Sequence, residues 1–158
     1  MNKEINNLKL FLEKNYLPIE TSVSVQEPTV VYADGIGHVI LGELEATFAE
    51  EVISLAKKKY NDNLGKFAAR AMLSRQIVSK MNLDASYLPT KRNAFACVLA
   101  LELDETAARS LLQKVSYTFS RSNLLDLTIL YCVQHKIYDI SLINELLFEI
   151  DQPLLGSI

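Results

Sequence analysis

Histidine and cysteine are scarce in this chain, two of each in 158 residues, and that scarcity removes whole classes of chemistry. His38 and His135 lie far apart, with no cysteine or carboxylate at metal-ligand spacing beside them, so no metal centre is expected. Cys97 and Cys132 both fall in apolar, helix-patterned segments and read as small hydrophobes, not as a disulfide. No apolar run reaches the roughly 18 residues that a membrane span needs. The opening "MNKEINNLKLFLEKNYLP" interrupts its apolar positions with Asn, Lys and Glu, which describes an amphipathic helix and not a signal peptide. A cytoplasmic protein is the resulting expectation. The "DGIG" at 34–37 lacks the third glycine and the strand-then-helix setting of a dinucleotide loop. Glu50–Glu51 and Asp104–Glu105 sit in first helical turns, where the helix dipole favours carboxylates without any catalytic role. Ser120 and Ser122 read as helix caps, since no histidine lies near them in sequence. No catalytic residue, metal or cofactor is expected.

Apolar residues at 49% and charged residues at 22% describe a globular chain. The net charge of −3 conceals a segregation. Residues 57–92 hold nine Lys and Arg against Asp62 and Asp84, whereas 1–56 hold three basic against nine acidic and 93–158 four against eight. The middle of the chain is therefore cationic and both flanks are acidic. One reading is a solvated face with scattered lysines; the other is an electrostatic footprint for phosphate or for an acidic protein surface.

Helical periodicity places a first amphipathic helix over 3–15 through Ile5, Leu8, Phe11 and Leu12, closed before Pro18. Residues 19–46 change character, with alternating valines, Pro28 and glycines at 35, 37 and 42. They form either two short strands around "ADGIG" or an irregular linker. From Thr47 onward the pattern is helical throughout. "TFAE" is a capping box, and Asn63, Ser74, Thr90 and Asp104 are placed to cap four later helices, the first two over 64–71 and 75–82. Ser120 or Ser122 opens a sixth helix and Ser141 a seventh, which ends near Ile150 before "DQPLLG". The expected class is mainly α, with three parts: an N-terminal helix over 1–18, a partly extended linker over 19–46 and a helical domain over 47–158. The aliphatic surplus over 124–150 exceeds one stripe, so it either completes the core or exposes a seam for a homodimer.

The stretch "FAARAMLSRQIVSKM" at 67–81 has the parts of a helix-turn-helix at 64–82. Phe67, Ala68 and Ala71 make an inner face, Leu73 plugs the turn, Ser74 caps, and Val78 and Met81 point inward. Arg75, Gln76, Ser79 and Lys80 are left outside at the start of the second helix, as side-chain types that bond base edges and phosphates. Lys66, Lys91 and Arg92 are expected as phosphate contacts that fix register.

On these residues, 48–115 resembles the five-helix domain of phage-repressor-like (lambda-repressor-like) helix-turn-helix proteins. Their motif reads roughly Leu-Ala-x-x-Ala-Gly-Val-Ser-Arg-x-x-Ile-Ser; Phe67, Ala68, Ala71, Met72, Leu73, Ser74, Arg75, Val78 and Ser79 stand at the matching positions. Met72 occupies the family's turn glycine, a position that favours positive φ. "LKLFLEKNYLP", "SRQIVSKM" and the run from "YLPTKRNAF" to "DQPLLG" also resemble a group of small bacterial proteins. Those proteins combine an N-terminal helix, a variable linker and a C-terminal repressor-like helical domain; Asn82 and Leu83 stand where the group usually has an extra Arg. The resemblance implies a five-helix core with two extra C-terminal helices, and either of two non-enzymatic functions. One is a regulator that binds double-stranded DNA, expected to dimerise. The other is an adaptor in a bacterial signalling or defence system that docks an acidic protein partner on the same face.

Overall fold

The computed structural model describes residues 2–18 and 45–156. Among them the chain forms eight helices and no strand: α1 (Asn2–Asn15), α2 (Phe48–Lys59), α3 (Leu64–Ala71), α4 (Arg75–Leu83), α5 (Lys91–Ala100), α6 (Glu105–Gln113), α7 (Leu124–Gln134) and α8 (Ile140–Glu149). The hairpin or linker expected over 19–46 lies, apart from Glu45 and Ala46, outside the described residues, as does His38.

Local hydrogen bonding explains where the helices begin. The Thr47 hydroxyl accepts from Glu50 N while Glu50 Oε1 accepts from Thr47 N, the reciprocal pair of a capping box. Asn63, Ser74, Thr90 and Asp104 each accept from the backbone N–H three residues on. Two starts differ from expectation. Asn123, not Ser120 or Ser122, caps α7, its Oδ1 accepting from Asp126 N at 3.1 Å. Ser120 is drawn aside: its hydroxyl accepts from Ser122 N, and its own N–H donates to the Asp126 carboxylate. Asp139 starts α8 one residue before Ile140, with Oδ1 accepting from Ser141 N.

The helix ends share one device. After α3, α5, α6, α7 and α8 the chain turns through a left-handed residue, Met72, Glu102, Ser116, Lys136 and Asp151 in turn, and none is glycine. At each, the following N–H reaches back five residues, as Leu73 N does to Ala68 O (2.9 Å) and Tyr117 N to Leu112 O (3.0 Å). These paired bonds satisfy carbonyls that a bare helix end would leave open.

Two helices carry the core. In α5 every residue from Ala94 to Ala100 is buried, packed against α3, α6 and α8. In α7 Leu125 through Val133 are all buried, wrapped by α1, α6 and α8. That wrapping absorbs most of the aliphatic surplus of 124–150. α1 belongs to the same core: Ile5, Leu8 and Leu12 are buried on α7, and Phe11 meets Tyr131 at 5.3 Å between ring centroids. Tyr131 also donates to the Glu4 carboxylate, and Arg121 binds the carbonyl of Asn15 at 2.9 Å.

Burial of α7 includes two polar residues. Thr128 satisfies its hydroxyl on the Leu124 carbonyl at 2.7 Å. Asp126, 1% exposed, pairs through one oxygen with Lys91 from the first turn of α5 and with Ser120 N. An ion pair of this kind ties two sequence-distant helix starts together, and breaking it leaves a charge stranded in the core. No described helix is long and apolar enough to cross a membrane.

Candidate nucleic-acid interface

The pair α3–α4 is built by short-range forces. Asn63 opens α3; Phe67, Ala68 and Ala71 bury its inner face, and small Ala68 lets α4 approach. Met72 then closes the helix at φ 53° and ψ 36°. Glycine is favoured at this position because a Cβ crowds the backbone when φ is positive. Leu73 turns inward to fill the corner, and Ser74 caps α4 at once. Only Val78 and Met81 of α4 are fully buried, with Ile77 half-buried.

Arg75, Gln76, Ser79 and Lys80 are all exposed, as is Lys66 on α3. None of the hydrogen bonds or ion pairs among the described residues engages their side chains. Arg75 and Ser79 border a groove of about 420 Å³ against the first turn of α3, where Asn63 and Gly65 form the opposite wall. Asn82 lines the same groove. Asn63 and Asn82 were not singled out in the sequence as interface residues, yet the spacing 75, 79, 82 does place Asn82 on the face of Arg75.

Lys91 and Arg92 are placed differently. The Lys91 ammonium is engaged by Asp126 and lies 5.7 Å from the Phe95 ring centroid. The Arg92 guanidinium donates to the Leu154 carbonyl at 3.0 Å. Both cations are tied to the C-terminal part of the fold, so their expected role as phosphate contacts competes with an internal one. Five of the seven expected residues therefore sit on the α3–α4 pair with their side chains outward, and two hold α5 to α7 and the tail.

The tail reaches the α3–α4 corner from behind. Asn144 of α8 accepts from Leu155 N at 2.8 Å and donates to Leu155 O at 3.1 Å, and its amide lies 4.0 Å from the Met72 sulfur. Gly156, at φ +107°, passes so close that a Cβ there would stand 3.2 Å from Met72 Cβ and 3.4 Å from its carbonyl oxygen. "DQPLLG" is thus a brace for the left-handed turn before α4.

Elsewhere the chemistry is quiet. Burial pushes both cysteine thiols up to about 12, so they are protonated at neutral pH. Hydrogen bonds from Gln134 and then Arg109 hold Glu105 below the usual carboxylate range. Among the described residues no group of three or more His, Cys, Asp or Glu is arranged to hold a metal. Compared with known proteins, the chain matches no family model, no curated protein and no solved structure.

Proposed function

We propose that this chain is a small non-enzymatic regulator that binds double-stranded DNA through the α3–α4 face, with the helix-turn-helix arrangement and five-helix core of the phage-repressor-like domain. One observation carries the reading: a capped helix, packed along the Val78–Met81 stripe, presents Arg75, Gln76, Ser79 and Lys80 to solvent in the cationic part of an acidic chain. Those four side chains read base edges from the start of α4. Lys66, across the corner, meets a phosphate and sets register without reading sequence. One short helix reads few base pairs, so two copies act together on a two-fold site.

The test is retardation of duplex DNA by the full chain across a salt series. Affinity falls steeply as salt rises, because bound cations release counterions. Arg75→Ala loses about 1–3 kcal/mol of discrimination at its base, whereas Lys66→Ala weakens all duplexes alike. A chain that retards no duplex at low salt overturns the proposal. The adaptor reading places an acidic protein surface on the same cationic face and another protein on the terminal helices, where Phe148 is exposed. The complex on the terminal helices survives Lys80→Glu and fails without residues 1–18.

A further inference from the structure

Phe148 is 71% exposed near the end of α8, although the opposite face of that helix is committed to the core by Ile140, Ile143, Leu146 and Leu147. Its ring forms one wall of a shallow, open cleft of about 480 Å³ that Ser141, Asn144, Glu145, Glu149 and Leu154 complete. Leu154 itself is 39% exposed. An exposed aromatic ring and the shallow depression it walls thus form one surface. The cleft wall is held in place before any partner arrives, since Asn144 clamps the backbone of Leu155 at both its polar atoms.

The edge of this surface carries both signs of charge. Glu145 and Glu149 are exposed on α8, and Arg92 is held at the Leu154 carbonyl. A uniformly basic or acidic partner would satisfy one sign and strand the other. A second copy of the same surface brings both.

We propose that two copies of this chain pair through α8 and the tail, each seating its Phe148 in the other's cleft and setting Glu145 and Glu149 against the other's Arg92. The pairing is isologous: one patch serves both partners, so the assembly closes at two. Phe148 is the central anchor, of the aromatic kind that dominates binding energy when it enters a pocket. The inference supplies the contact for the dimer that the DNA reading calls for, and in that sense rests on it. Its geometry needs no DNA.

Sedimentation equilibrium of the full chain without DNA, over a wide concentration series, tests it. The expected result is a reversible monomer–dimer equilibrium. Phe148→Asp weakens that equilibrium by about tenfold or more and leaves the unfolding midpoint unchanged at concentrations low enough for both chains to be monomeric, because the ring is outside the core. Glu149→Arg and Arg92→Glu each weaken it, and the two together restore it. A wild-type chain that stays monomeric at every concentration overturns the inference. So does a dimer indifferent to Phe148→Asp, for instance one held through the exposed Leu83 and Leu88. The two proposals fail separately: a Phe148-dependent dimer that retards no duplex keeps the pairing and loses the DNA reading, and a strict monomer that retards duplex does the reverse.

Discussion

Helices α4 and α7 are nine and eleven residues long and have opposite fates. α7 is buried on all sides from Leu125 to Val133, an acidic residue included, and nothing on it is offered to solvent except its ends. α4 buries two residues and leaves Arg75, Gln76, Ser79 and Lys80 outside. A helix that packs on every side is a scaffold. One that packs along a narrow stripe and is capped at once leaves its remaining face to solvent. The same contrast divides the lysines: Lys91 neutralises a core carboxylate, and Lys80 is exposed and makes no ion pair among the described residues.

The contrast is broken or sharpened by substitution. Lys91→Met, which strands the buried Asp126 carboxylate, is expected to cost about 3 kcal/mol in urea unfolding, while Lys80→Met changes stability by no more than about 0.5 kcal/mol. Equal effects at the two lysines would erase the distinction. Asn144→Ala removes both bonds to Leu155 and leaves that buried backbone unsatisfied, an expected loss of about 2 kcal/mol by the same measurement. Because the tail backs Met72, the loss should come with faster amide exchange at Leu73 and Ser74. Unchanged exchange there would show the brace to be idle. Smallest is a gain: Ser116→Gly relieves an exposed left-handed residue after α6 and is expected to stabilise by about 1 kcal/mol, read as a raised melting temperature. Gly156→Ala has the opposite sign, since its φ is positive and its Cβ would press on Met72.

The legible parts of the fold are those governed by neighbours in sequence. Thr47, Asn63, Ser74, Thr90 and Asp104 could be read as caps because a cap acts across three residues. The start of α7 falls later than Ser120 because the Ser120 hydroxyl, a good cap in isolation, accepts from Ser122 N, while its N–H is held by Asp126, six residues away and paired with Lys91. That pairing spans 35 residues and leaves no periodic trace. It is also why Lys91 looked like a surface cation. The ends of α5, α6 and α7 carry no such local mark: Glu102, Ser116 and Lys136 occupy the left-handed positions where a glycine would have shown the stop. Of the site, the exposed row on α4 follows from its 3.6-residue period. The wall opposite it and the tail behind it depend on tertiary packing alone.

The brace at Gly156 has a consequence for how the molecule comes into being. Helices α3 and α4 emerge from the ribosome early, yet the residues that support the corner between them, Asn144, Leu155 and Gly156, are made after α7. During synthesis the two helices therefore wait with Met72 unsupported until the last turns arrive. A fragment cut at residue 115 would retain the whole recognisable motif and lack its keystone.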